Sequence, residues 1–289
     1  MRAMIGPARF PPDPYAEISD FYDLEHADYG DDIDLYLNLA LSTGDPVLEL
    51  GSGSGRLLVP LAEAGHRVTA VDRSPAMMAR ARRVVEDARV CDRVAFHHGD
   101  MTDAGDAPGG PFGLAIVALN GLMHLVTQEE QRQTLEEIRR CLDPRGQLVL
   151  DLFNPTADAL RLLDHSVSHD GSWTDEGGSR IDKFAARRVH PGRQIITTDL
   201  WYDSISPSGD LRRTAASYEM RYVHRSEMEL LLELAGYEEW TIYGSYDLDA
   251  FDDMSDRMIV TAEVTRSAPR PPRLAIRHGS LQASRPVEE

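Results

Sequence analysis

Glu49-Leu50-Gly51-Ser52-Gly53-Ser54-Gly55-Arg56 is the stretch on which the fold turns. Val47 to Leu50 reads as a short β-strand, and Arg56 to Ala64 carries apolar residues at helical spacing, so the glycines fill a strand-to-helix turn. Missing side chains let a ligand approach the backbone there, and the free N–H groups of a helix start suit a nucleoside-type cofactor.

Outward from this turn the rhythm repeats. Strands are expected at Arg67 to Asp72, Arg93 to His98, Gly113 to Leu119 and Gln147 to Phe153, with helices at Pro75 to Ala88 and Glu129 to Cys141 between them. Alternation of this kind marks βαβ units and a parallel sheet. Ser74 before Pro75 is a helix cap followed by proline at the first helical position, and Asp143-Pro144-Arg145-Gly146 is a turn signal. After Asn154-Pro155 the pattern changes. Gly171 to Arg225 is β-rich and broken by turns such as Pro191-Gly192 and Ser206-Pro207-Ser208-Gly209, which reads as an antiparallel insert. Ser226 to Ala235 returns to an amphipathic helix closed by Gly236, and Tyr237 to Tyr246 and Met258 to Val264 form a pair able to complete the first sheet. The expectation is an α/β chain: a Rossmann-like, mostly parallel seven-stranded sheet with helices on both faces and an antiparallel β insert. Residues 15–154 would hold the entry helices and cofactor core, 155–225 the insert and 226–264 the closing elements. Residues 1–14 and 265–289 read as tails, the latter because its Pro-rich polar run cannot bury enough surface to order.

Several strand ends carry chemistry. A dinucleotide fingerprint wants glycine at positions 51, 53 and 56, but position 56 is Arg, and Glu49 would stand beside any pyrophosphate. A cofactor without phosphate and with a cationic sulfonium and ammonium gains from that carboxylate, and S-adenosylmethionine is such a ligand. Asp72 ends the second strand, about 20 residues past Gly51, where an acidic side chain takes both ribose hydroxyls. Gly99-Asp100-Met101 ends the third, with a carboxylate for the adenine amino group and a thioether for the ring face. The fourth leads to Leu119 and Asn120, near the sulfur end. Gly51, Ser52, Gly53, Gly55, Arg56 and Arg73 complete the expected cofactor set. Each feature alone is ordinary turn chemistry; together, at the carboxyl ends of successive strands, they mark a ligand site.

These residues resemble the class I S-adenosylmethionine-dependent methyltransferases over roughly Tyr15 to Val264, through Glu49 to Gly55, Asp72, Asp100-Met101 and the Leu119-Asn120 strand end. The resemblance implies a mostly parallel sheet with one antiparallel hairpin strand. It assigns Glu49 and Gly51 to the methionine end, Asp72 to the ribose and Asp100 to adenine. Tyr22-Asp23-Leu24-Glu25-His26, Met123-His124-Leu125 and the late insert look like small-molecule N-methyltransferases of the amino-sugar and glycine types. That likeness implies Tyr22 as a lid over the cofactor, His124 beside the acceptor and Arg257 near a substrate phosphate. Ala27-Asp28-Tyr29-Gly30-Asp31-Asp32 stands where the sugar enzymes carry a basic loop, which argues against a nucleotide-linked acceptor.

Methyl transfer is a direct displacement, so positioning supplies most of the catalysis. An amine acceptor must lose a proton, and His124 is the candidate base; the plain alternative is a helix-cap histidine with no chemistry. Tyr15, Trp173, Tyr202 and Arg257 join His124 as candidate acceptor contacts. The insert aromatics Trp173, Phe184, Trp201, Tyr202, Tyr218 and Tyr222 serve either an acceptor pocket or a core, and the insert is a substrate lid or, alternatively, a homodimer interface. His97 and His98 read as exposed or partly packed.

The formal charge of −18 repels nucleic-acid backbones, so a small-molecule acceptor is expected rather than DNA or RNA. Arg80, Arg82 and Arg83 read as a solvated helix face. Cys91 and Cys141, far apart and without a metal-ligand pattern, read as reduced core thiols, and no metal is expected. Met1 to Pro14 lacks a signal-peptide pattern and no long apolar run occurs, so a cytoplasmic location with no membrane span is expected. The functional expectation is N-methylation of an amine or amino sugar; O-methylation, or cofactor binding without transfer, are the alternatives.

Overall fold

A computed structural model describes residues 13–26 and 29–264. The tails expected at 1–12 and 265–289, and Ala27 and Asp28 of the acidic loop, lie outside the described residues. Asp13 and Pro14, read as the end of the N-terminal tail, belong to the structure, and Pro14 is buried.

The chain builds α1 (Ser19–His26), α2 (Ile33–Thr43), β1 (Val47–Leu50), α3 (Leu58–Glu63), β2 (Val68–Asp72), α4 (Pro75–Asp87), β3 (Val94–His98), β4 (Phe112–Val117), α5 (Gln128–Cys141) and β5 (Leu142–Phe153). Then come α6 (Ala157–Leu163), β6 (Ser166–Thr174), β7 (Arg180–His190), β8 (Ile195–Ile205), β9 (Leu211–Arg221), α7 (Arg225–Ala235), β10 (Glu239–Tyr243) and β11 (Arg257–Glu263). The larger sheet has seven strands in the order β10-β11-β5-β4-β1-β2-β3. Neighbours pair in parallel except β11, which runs antiparallel to β5 and β10. Strands β1 and β4 are neighbours from which the chain winds in opposite directions, so their carboxyl ends open a crevice between them.

The central strands β1 and β4 are buried throughout, as strands covered by helices on both faces must be. On one face Leu48, Leu50 and Val117 pack with Leu135 and Ile138 of α5 and Leu231 of α7. On the other, Val47 and Ile116 pack with Tyr36 of α2, Leu61 of α3 and Ala81 and Val85 of α4. Local signals set the helix ends. The Ser74 hydroxyl accepts the Met77 N–H at 3.2 Å ahead of Pro75, and Thr127 forms a reciprocal capping box with Glu130. Gly55 (φ +92°) lets the turn press against α4, since a Cβ there would lie 3.1 Å from Ala81 Cα. Gly55→Ala is therefore expected to cost about 2 kcal/mol or more in a urea melt; an unchanged midpoint would show that the turn does not press against the helix.

The four-stranded antiparallel sheet, β6-β7-β8-β9, is the insert. It begins at Ser166, earlier than the β-rich stretch read from Gly171, because β6 opens with weakly apolar residues. Its buried face (Ile181, Ala185, Leu200, Tyr202, Ala216) packs on Ile18, with Tyr15, Phe21 and Leu24 against it. The insert thus clamps the N-terminal segment over the large sheet.

Three expectations change. Asp143 to Gly146 is not a turn between elements: Phe112 pairs with Leu142 and Leu114 with Gln147, so these residues bulge within β5. Cys91 is exposed rather than in the core, and Cys141 is partly buried; Cys91 follows α4 past the end of its packed face. Arg80 is drawn off the solvated face, because α1 crosses α4 and offers Asp20 at 2.6 Å and Asp23. Among the described residues no helix is long and apolar enough to cross a membrane.

Candidate active site

A cleft whose empty space, counted out to open solvent, is about 990 Å³ opens at the carboxyl ends of β1, β2, β3 and β4. Its floor is the glycine-rich turn. Gly51 and Gly53 adopt positive φ (+67° and +55°), and a Cβ on Gly51 would already touch Met101 Cε at 3.4 Å. A side chain larger than a methyl there would press on the thioether and fill the cradle, and the positive φ strains any residue but glycine.

Glu49, Gly51, Ser52, Gly53, Arg56, Asp72, Arg73, Asp100, Met101 and Leu119 of the expected cofactor set line the cavity, as do Tyr15, Tyr22 and His124. Glu49 is 4% exposed, and among the described residues its Oε2 has no hydrogen-bond partner. Burial pushes its carboxyl up to about 8, against the pull of Arg56 and with Asp72 and Asp32 adding to the rise. Ser52 Oγ is likewise buried without a partner. Of the buried side-chain atoms without a partner among the described residues, these two are the ones that line the cavity, where a bound ligand can pair with them. Asp72 accepts the N–H of Gly53 and of Ser74, each at 2.8 Å. Burial raises its pKa and these two backbone bonds lower it, the net being upward. Asp100 accepts the Thr102 N–H at 3.0 Å and lies 3.9 Å from Arg73.

At the far end Tyr15 Oη and His124 Nε2 are 2.9 Å apart. Desolvation holds the His124 imidazolium down at about 4, with Arg73 acting in the same direction, so the ring is neutral at physiological pH. Tyr218 of β9 closes this end from the insert side, its ring parallel to Tyr15 at 6.2 Å and tilted against His124 at 5.5 Å. Tyr22 stacks on His26 at 4.1 Å and meets Tyr15 edge-on.

The remaining candidates lie elsewhere. Gly55 sits against α4 beneath the turn. Asn120, with φ +64°, accepts the Phe153 N–H on its side-chain oxygen at 2.6 Å and is not in the lining. Trp173 packs on the inner face of the insert. Tyr202 is buried under Phe21 and donates to Glu25 at 2.9 Å. Arg257 is committed to buried Asp151, which also accepts the Leu119 N–H at 3.1 Å. These three candidates for acceptor binding are thus placed outside the cavity, because each had an internal partner that no sequence spacing reveals. Arg56 lines the cavity but gives both arms of its guanidinium to Asp32, at 2.6 Å each. Asp13, Ser54, Val71, Ser74, Met77, Gly99, Ala118, Gly121 and Leu125 complete the lining and were missed. Asp13 was assigned to the tail, yet its carboxylate accepts the Ser74 hydroxyl at 2.7 Å. The others are apolar or small residues beside the strand ends, with no signal of their own.

The residues present fit S-adenosylmethionine: an unpaired buried carboxylate suits an ammonium or sulfonium, a strand-end aspartate suits a ribose diol, and a glycine floor admits close approach. A cationic ligand also has a pH signature here. Glu49 carries a proton in the free protein below about pH 8, and pairing with a cation requires it ionised. Affinity is therefore expected to rise with pH up to about 8 and then level, with proton uptake by buffer on binding near neutrality. Titrations in buffers of different ionisation enthalpy measure this; a pH-independent affinity with no proton release would exclude Glu49 from the contact.

A methyltransferase-domain family model matches residues 47–146. An uncharacterized methyltransferase of Bacillus licheniformis is 33% identical over 128 residues, spanning 44% of this chain and 56% of that protein. The cypemycin N-terminal methyltransferase of a Streptomyces species is 28% identical over 221 residues, 76% of this chain and 83% of that protein. The first match thus covers little more than half the relative's length, the second most of it. The solved sugar N-methyltransferase KedS8 of a Streptoalloteichus species superposes with a TM-score of 0.69 at 18% identity, over 92% of this chain and 98% of that one. Residues 47–146 match a methyltransferase-domain model, and over most of its length the chain shares the fold of that solved methyltransferase.

Proposed function

We propose that this protein transfers the methyl group of S-adenosylmethionine to the nitrogen of a small amine or amino sugar. The observation that carries the choice of cofactor is the unpaired, buried Glu49 carboxylate above a glycine floor. Bound there, S-adenosylmethionine supplies an electrophilic methyl group. Glu49 and Ser52 hold the methionine end, Asp72 the ribose, and Asp100 and Met101 the adenine. Tyr22, on α1 above the turn, covers the site and excludes water.

The Tyr15–His124 pair faces the acceptor. His124 is neutral, so with its Nε2–H donated to Tyr15 Oη the other ring nitrogen accepts a hydrogen bond from an acceptor N–H and orients the amine lone pair toward the methyl group. A base with a pKa near 4 holds poorly a proton taken from an alkylammonium, so the acceptor reacts as the free amine. Support for nitrogen comes from the cypemycin relative, named for N-terminal methylation. The insert acts as a roof, with Tyr218 holding the pair in place.

The test is to incubate the purified protein with S-adenosylmethionine and panels of amines, amino sugars, phenols and carboxylic acids, and to follow S-adenosylhomocysteine and methylated product by mass spectrometry. Amine turnover is expected. Turnover of hydroxyl or carboxyl acceptors alone would replace nitrogen by oxygen, and tight cofactor binding with no turnover across all four panels would leave a binding protein.

A further inference from the structure

Asp32 lies just ahead of α2, outside the cavity lining, at the end of the acidic loop. It is 0% exposed. Its two oxygens take both arms of Arg56 at 2.6 Å each, a bidentate geometry in which the guanidinium is saturated along one edge. The Tyr29 ring covers the guanidinium at 5.2 Å, and Tyr29 O receives a longer bond from the same arm. The charged or titratable groups that bear on Glu49 are Arg56 on its own turn, Asp72 at the end of β2 and Asp32 before α2, with Tyr22 of α1 also within reach of the carboxylate. Arg56 is the one cation among them, and Glu49 Oε2 nevertheless has no partner among the described residues.

An arginine beside an unpaired buried carboxylate normally pairs with it. Here the competitor is Asp32. We infer that Asp32 is a positioning residue for cofactor binding: by holding Arg56 away from Glu49 it keeps that carboxylate free for the ammonium group of the cofactor. This rests on the reading of the cavity as an S-adenosylmethionine site and deepens it, since it explains how a strongly acidic pocket tolerates an arginine without losing its cation specificity.

The test uses the full chain and three proteins: wild type, Asp32→Asn and the double variant Asp32→Asn/Arg56→Gln. Each is titrated with S-adenosylhomocysteine, which has the amino group, and with 5′-methylthioadenosine, which lacks the amino-acid part. In Asp32→Asn the freed guanidinium turns to Glu49. The homocysteine ligand should then bind about tenfold or more weakly, the loss of one charge-assisted hydrogen bond. Binding of the thioadenosine should change by less than about threefold, which a general collapse of the site would not allow. Proton release on binding near pH 7 should disappear, because Glu49 paired with Arg56 is already ionised. Removing Arg56 as well should restore homocysteine affinity to within about threefold of wild type, and this variant has no unpaired buried charge to unfold it. Equal homocysteine affinity and equal proton release in wild type and Asp32→Asn would overturn the inference alone, as would a double variant no better than the single one. A wild-type protein that binds neither nucleoside would overturn the cavity reading and this inference with it.

Discussion

Asp72→Ala is expected to weaken S-adenosylhomocysteine binding by about a hundredfold, the largest single effect on affinity in the site. Two losses add. The carboxylate at the end of β2 is the group placed to take a ribose diol, and two charge-assisted bonds of that kind contribute about 3 kcal/mol in a desolvated pocket. The same carboxylate also fastens the floor of the cavity to the start of α4 through the N–H groups of Gly53 and Ser74, so its removal loosens the cradle. At saturating cofactor the transfer step should change far less, because the proposed contact of Asp72 is to the ribose and not to the methyl group. Calorimetry on the variant decides: unchanged affinity removes Asp72 from the site. Asp72→Asn, which keeps one acceptor for a backbone N–H, should fall between the two.

His124→Ala should act on the other axis. Turnover is expected to fall by about 10- to 100-fold, the loss of one orienting hydrogen bond to the acceptor, with cofactor affinity within about threefold of wild type, since the ring bonds Tyr15 rather than the cofactor residues. The pH profile adds a separate check. Burial keeps the wild-type imidazole neutral above roughly pH 5, its pKa lying at about 4, so no rise in rate between pH 5 and 7 should trace to this histidine. A slope there would belong to the acceptor amine and would persist in His124→Ala. A fully active variant would leave the ring as a helix-end histidine with no chemistry.

Much of this architecture is legible in the chain. The five parallel strands follow from period and punctuation: Ser74-Pro75 and Gly236 stop and start helices for local reasons, and the structure places them within a residue or two of where they were read. That Glu49, Asp72 and Asp100 line one cavity is legible for the same reason, since they are fixed by distance from strand ends and the sheet brings those ends together. What depends on pairing across distant segments is not. Nothing near Arg56 in sequence announces Asp32, and nothing near Arg257 announces Asp151. Asn120 stands at the right strand end, but its positive φ turns its side chain onto Phe153 N–H. The insert aromatics alternate, which shows two faces without showing which one is inward. Only Tyr218 of that set reaches the Tyr15–His124 pair, while Tyr202 is spent on Glu25 and Trp201 stacks on Phe184 on the other face. The acceptor end is therefore set by tertiary neighbours that strand periodicity cannot rank.

The preference of the cavity for a cation over a phosphate is what everything else requires, and one calorimetric comparison measures it directly. Purified protein titrated at neutral pH with S-adenosylmethionine and, separately, with NAD should bind the sulfonium nucleoside with a measurable heat and release of a proton, and should show no saturable heat with the pyrophosphate cofactor. Saturable binding of NAD together with indifference to S-adenosylmethionine would contradict it.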